Sequence, residues 1–319
     1  MSNNTYSIPL SIVVPTFRRN EQLLECILSI IRQKYLPKEI IIIDTCPKNT
    51  AQHISQRSNI SPSAIRYISV PTKNVSEARN RGIYAANYNH IIFIDDDCIA
   101  GKEWLKSLYK SLYRFNSCVG RGIEHITPTV GFLVKVESYL TFSSYHSISD
   151  QISKRSHIQY IDSKCFLVNK HVLIQHNILF DTQFNATFED MDLSFQLIRA
   201  KVPIRNIYSM KIVHNPENTF FRLIRKQWNK GKDFVLFEKK WKSAILSKYQ
   251  FEKLLQNSAI KETVRTLKYK NQIVSRNFLK KILKRKSKLY LISFHSLLFV
   301  AWMCRFAGRY YMKLKLALL

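Results

Sequence analysis

The chain has 319 residues, 46% apolar and 23% charged, with 7 Gly, 9 Pro and 6 Cys, a composition that excludes disordered, collagen-like and disulfide-stapled miniature proteins. At this length it can bury a substantial core and shape a cleft without cross-links. Its formal net charge of +28 is uneven: residues 220–319 carry 25 Lys and Arg against 4 Asp and Glu, and residues 1–219 carry 25 against 18, so the last third is expected to meet a polyanion, either nucleic acid or the anionic face of a membrane.

Read in chain order, Ile8 to Pro15 is a short, β-branched apolar run closed by proline, which predicts a buried strand. Glu21 to Gln33 sets Leu23, Leu24, Ile27, Leu28, Ile30 and Ile31 at helical spacing. Glu39 to Asp44 and Ile65 to Val70 read as strands and Glu77 to Ala86 as a helix. His90 to Ile94 is a fourth strand, running into Asp95-Asp96-Asp97. Continuously apolar strands that alternate with helices predict an α/β fold with a mostly parallel central sheet flanked by helices. Sheets of this kind bind ligands beyond the carboxyl ends of their strands, where Asp44 and the three acids fall. Trp104 to Tyr113 reads as a helix, Gly120 to Gly131 as a strand and turn, Thr141 to Ser156 as a loop. Asp190 to Ala200 reads as a helix with acids in its first turn.

Three successive carboxylates at a strand end repel one another, which raises their pKa values unless a cation lies close. Hard oxygen donors in this pattern suit Mg2+ or Mn2+, ions that bridge the oxygens of a diphosphate. An acidic surface turn is the plainer alternative.

Five segments in order, Val13-Val14-Pro15-Thr16-Phe17, Ile43-Asp44, Asn74 to Gly82, Phe93-Ile94-Asp95-Asp96-Asp97 and Phe188 to Ser194, together resemble family 2 glycosyltransferases with the GT-A nucleotide-sugar fold, over residues 8–235. The resemblance implies an inverting, metal-dependent transfer of a sugar from a nucleoside-diphosphate sugar to a hydroxyl of a glycan or lipid-linked acceptor, in cell-surface polysaccharide synthesis. It places Pro15, Thr16, Asp44, Arg79, Asp95 and Asp96 around the nucleotide-sugar, with Asp44 on the base N–H, which favours a UDP-sugar. The family has two acids and a glycine where this chain has Asp44-Thr45-Cys46-Pro47. Asp97, His214 and Asp95 would hold the Mn2+ or Mg2+. Asp190 would be the catalytic base, with Glu189 or Asp192 orienting the acceptor; helix capping is the plain reading of these acids, and the two can coexist. Arg222 and Arg225 would face the diphosphate. Gln227-Trp228 is similar to the Q-x-x-R-W segment of processive synthases, but without the spacing and the Arg, so a non-processive enzyme is expected.

The catalytic domain is expected over 8–235, its nucleotide-sugar half over about 8–115 and its acceptor half over about 116–235. A basic helical region, 236–319, follows. Within it Leu289 to Cys304 is uncharged; sixteen residues rise about 24 Å as a helix, short of the roughly 30 Å hydrocarbon core, so 289–311 is expected to lie in a membrane interface. The N-terminus has neither a basic n-region nor an apolar h-region, and the cysteines are too dispersed for a zinc site or an evident disulfide framework. Both favour a cytoplasmic protein, peripheral on the inner face of the cell membrane. Two other readings are a nucleic-acid-binding protein, motivated by the basic last third but leaving the acids unexplained, and a sugar nucleotidyltransferase, for which Pro15-Thr16-Phe17-Arg18-Arg19 lacks the glycine-rich loop.

Overall fold

The computed structural model describes residues 6–46, 50, 54, 57, 65–109, 112, 116, 118–125, 131–142, 161–185, 187–215, 219–246 and 288–317. In chain order these form β1 (Tyr6–Thr16), α1 (Asn20–Ile31), β2 (Tyr35–Asp44), β3 (Ile65–Ser69), α2 (Val75–Ala85), β4 (His90–Ile94), β5 (Cys98–Ala100), α3 (Trp104–Tyr109), β6 (Val119–His125), α4 (Phe132–Phe142), β7 (Cys165–Asn169), α5 (Lys170–Gln175), α6 (Glu189–Arg199), β8 (Ile204–His214), α7 (Phe220–Leu246) and α8 (Lys288–Ala317). Two compact units share them, 1–127 with 160–217, and 128–159 with 218–319.

The first unit is built on an eight-stranded sheet in the order β3-β2-β1-β4-β7-β6-β8-β5. β1, β2, β3 and β4 are parallel to one another where they pair. Ile8, Leu10, Ile12, Val13 and Val14 of β1 and Ile91 to Ile94 of β4 are fully buried, as continuous apolar runs covered on both faces should be. The register sets Thr16 beside Asp44 and Val13 beside Phe93, so the polar ends of three strands open on one edge. α2 begins where Asn74 Oδ1 accepts from Ser76 N at 2.9 Å and Glu77 N at 3.2 Å, a side-chain N-cap. Its Gly82 lies so close to Val13 that a Cβ would collide with the valine side chain.

The other half of the sheet is mixed. β7 runs antiparallel to β4 and β6, β5 runs antiparallel to β8, and β6 and β8 are parallel. β5 and β7, only three and five residues long, were not among the expected elements, because short buried strands carry no period of their own. The expected loop from Thr141 begins inside α4, and 143–156 lie outside the described residues. The Trp104 helix ends at Tyr109.

The second unit holds α4, α7 and α8. Val136 and Leu223 are buried together, with Phe132, Leu133, Leu297 and Leu298 packed against them. α8 meets α7 at two glycines: a Cβ on Gly231 would strike the Arg305 carbonyl, and one on Gly308 the Trp228 carbonyl. Arg305 Nε donates to Gln227 Oε1 at 3.0 Å, Arg309 Nη2 to Glu238 Oε1 at 3.0 Å, and Lys226 pairs with Glu137. The uncharged segment is thus part of a 30-residue helix, longer than the expected 289–311, and no described helix is long and apolar enough to cross a membrane.

Candidate functional site

The acids at the end of β4 each have a cation or donor of the chain beside them. Arg79 Nη2 donates to Asp95 Oδ1 at 2.8 Å. Arg19 Nη1 lies 2.8 Å from both Asp96 Oδ1 and Asp97 Oδ2, and the Thr16 hydroxyl donates to Asp96 Oδ2 at 2.8 Å. Burial pushes the Asp96 carboxyl up to about 7, against the opposing pull of Arg19. Burial also raises Asp95, with Arg79 opposing and the negative charge of Asp97 adding to the rise. The repulsion expected from three adjacent acids is therefore real, and Arg19, which the sequence reading did not single out, relieves part of it. Pro15 ends the apolar run in register with Ile43.

Across the opening stands His214, the last residue of β8, brought there by the antiparallel pairing of Cys98 with His214. Its Nε2 faces Asp97 Oδ1 at 3.4 Å and its Nδ1 faces Glu124 Oε1 at 3.1 Å. Glu124 is held in turn by Lys164 at 2.9 Å, and Lys164 by Asp162 at 3.0 Å. Burial favours the neutral imidazole, but the carboxylates of Asp97 and Glu124 outweigh it and raise His214 to about 9. Burial alone would raise Glu124; Lys164 and His214 hold it below the usual carboxylate range.

Donor atoms of Asp97, Cys98 and His214 lie within 4.8 Å of one another. Burial and the charges of Asp97 and Asp95 push the Cys98 thiol well above its ordinary value. The carboxylate of Asp97 and the imidazole of His214 are a set that fits Mn2+ or Mg2+ with further oxygens from water and a diphosphate. Asp95, expected with them, has its Oδ1 on Arg79.

Arg79 is 2% exposed. Besides Asp95 it reaches Glu189 Oε1, 3.1 Å from Nη1, and its guanidinium lies 5.4 Å from the centre of the Phe180 ring. It ties the end of β4 to the start of α6. Asp44 is likewise enclosed: Cys46 N donates to Oδ1 at 2.8 Å, and the Tyr67 hydroxyl donates to Oδ2. Burial and this hydrogen bond raise the Tyr67 phenol.

α6 starts from Phe188, whose φ of 66° is left-handed, a genuine strain for a bulky side chain of the kind that gathers at working sites. The turn sends Glu189 inward, where Ser163 Oγ also donates to it at 3.1 Å. Asp190 is part-buried with Oδ1 accepting from Met191 N at 2.8 Å. Burial, then the negative charges of Glu189 and Asp162, raise its carboxyl to about 7. Asp192 is buried and accepts from Gln196 Nε2 at 2.7 Å. Arg222 and Arg225 stand exposed on α7 in the second unit.

Residues 11–176, just over half of the chain, match the profile of Glycosyl transferase family 2. Two proteins of Streptococcus pneumoniae serotype 4 are similar: Glycosyltransferase GlyA, 25% identical over 113 residues that cover 35% of this chain and 16% of that protein, and Glycosyltransferase GlyG, 27% identical over 104 residues that cover 32% and 35%. The matched stretches thus span well under two thirds of either relative. Among solved structures, GalNAc-T7 with UDP, GalNAc and Mn2+ shares the fold over 73% of this chain and 48% of that one, at a TM-score of 0.51 and 12% identity.

Proposed function

The chain belongs to glycosyl transferase family 2 and has the GT-A fold, and we propose that it moves a sugar from a nucleoside-diphosphate sugar, UDP-linked by preference, to a hydroxyl of a glycan or lipid-linked acceptor, with inversion at the anomeric carbon. The observation that carries this reading is Asp97 facing His214 at the end of β4, with Asp190 at a strained helix start in the same unit. Cell-surface polysaccharide synthesis at the cytoplasmic face of a membrane is the setting proposed for it.

A divalent ion held by Asp97 and His214, when bound, would neutralise charge building on the departing nucleoside diphosphate. Asp96 and Thr16 offer a hydrogen-bonding edge for the nucleotide-sugar beside it. Arg19, paired with Asp96 and Asp97, is the cation of this unit that a phosphate oxygen would draw away. Asp190 takes the acceptor hydroxyl's proton; a carboxyl near 7 is well matched to that task at neutral pH. Glu189 orients that region through Arg79 and Ser163, and Asp192 stiffens the first turn. Asp44, closed by Tyr67, forms the floor of the base pocket.

The test is to incubate the full chain with a panel of nucleoside-diphosphate sugars and Mn2+, following release of the nucleoside diphosphate. Asp97→Ala is expected to abolish release and to weaken nucleoside-diphosphate binding in Mn2+ by tenfold or more, with the fold intact by circular dichroism. Undiminished turnover in that variant would remove the metal assignment.

A further inference from the structure

The outward face of α8 is apolar where a surface helix should be polar. Ala301 and Gly308 are buried on its α7 side. On the other side Phe299 is 63% exposed, Trp302 55%, Phe306 55% and Tyr310 59%, with Met303 and Leu314 also exposed. The four aromatics follow one another at steps of three and four residues, so they form one stripe, and Trp302 stacks on Phe306 with centroids 5.8 Å apart. Single exposed apolar residues are ordinary, but a contiguous row of them marks an interaction surface.

We propose that this stripe is the docking surface for an anionic lipid bilayer, with α8 lying in the plane of the headgroups. Charge selects this occupant. α8 contains no Asp or Glu, Lys313 and Lys315 are exposed at its far end, and residues 220–319 hold 25 basic against 4 acidic side chains. A second copy would present the same positive excess and be repelled, whereas anionic headgroups complement it. A polar polyanion would meet the basic side chains but give Phe299, Met303 and Leu314 nothing apolar to enter. Aromatic rings with polar edges, Trp302 and Tyr310, suit the headgroup boundary, and a helix too short on apolar length to span, with an exposed aromatic stripe and basic flanks, binds in that plane.

The proposal concerns the surface of the second unit alone, so it can fail without the transferase reading and the reverse. The experiment sediments the full chain with vesicles of phosphatidylcholine, and of phosphatidylcholine with phosphatidylglycerol, alongside Phe306→Gln and the triple variant Phe299→Gln/Trp302→Gln/Phe306→Gln. Expected is partitioning onto the anionic vesicles, reduced severalfold by Phe306→Gln and at least tenfold by the triple variant, with thermal midpoints unchanged because the replaced side chains are exposed. Should the triple variant misfold, Phe306→Gln decides. Equal binding by wild type and variants would overturn the proposal in favour of basic side chains acting alone. A wild type that ignores vesicles but self-associates, or retains an oligonucleotide, through the same three residues would overturn it in favour of a second copy or a nucleic acid.

Discussion

Asp190 is the residue whose chemistry can be separated from its structural setting most cleanly. With its carboxyl raised to about 7 by burial and the neighbouring acids, the folded protein favours the protonated form. The contribution to stability is full below the unfolded value and is lost as pH rises through 7. Asp190→Asn removes that loss: its thermal midpoint should exceed that of wild type at pH 8, and the difference should vanish below about pH 4, where both states are protonated. The same variant should keep nucleoside-diphosphate affinity and lose about a hundredfold or more in transfer, while wild-type kcat/KM should rise with pH through an acidic limb near 7. A variant with near-wild-type turnover would move the base to Glu189, tested by Glu189→Gln. Glu124 permits a different measurement. It fixes the imidazole from the Nδ1 side, and loss of such a partner weakens metal binding about 10- to 100-fold. Mn2+ titration of Glu124→Gln without donor should show that weakening, whereas a purely structural role would shift only the thermal midpoint.

At the scale of elements, the first half of the sheet was legible and the second only in part, β6 falling within the strand and turn expected from Gly120 while β5 and β7 were not expected, for a definite reason. β1, β2 and β4 each carry a short apolar run, Ile12 to Val14, Ile40 to Ile43 and Ile91 to Ile94, that leads into polar residues, so both the strands and Asp44 and Asp95 to Asp97 stand out. The α6 acids stand out because they open an amphipathic helix. Glu124, Asp162, Lys164 and Ser163 gather around the same site, yet they are joined through β7 and β6, whose antiparallel pairing nothing local announces. Arg19 was passed over because a basic residue after a strand is ordinary; its contacts with Asp96 and Asp97 span 77 and 78 residues. The enclosure of Arg79 and Asp44 was also invisible, since Glu189 and Tyr67 are remote partners. The glycines of α7 and α8 offer a test of packing. Alanine ordinarily stabilises a helix interior by about 1 kcal/mol over glycine, but at Gly308 a methyl would meet the Trp228 carbonyl. Gly308→Ala should therefore destabilise the second unit by roughly 1–3 kcal/mol, seen as a lowered chemical-denaturation midpoint. A gain in stability would show that the helices are not in backbone contact.

For the whole molecule, the resemblance implies a catalytic domain up to residue 235, and by contacts 128–159 groups with 218–319. α4 lies between β6 and β7 in sequence, yet Val136 is buried with Leu223 and Leu297 packs against the same cluster. Cutting the chain after residue 217 should strip α4 of that cover. The truncated protein is expected to expose Phe132, Leu133 and Val136, to bind a hydrophobic dye, and to be cleaved by protease within α4, while the full chain resists there. Resistance in the truncated protein would mean that α4 is stable without α7 and α8.

That arrangement also sets an order in time. A ribosome releases the N-terminal strands first, and the strands of the first unit are complete once β8 has emerged. The α4 segment leaves the tunnel about 160 residues before Leu297, an interval of roughly 10–30 s at about 5–20 residues per second. Leu223 of α7 reaches that face roughly halfway through the interval and Leu297 and Leu298 only at its end, so a nascent-chain chaperone is expected to hold this stretch until the last helix arrives.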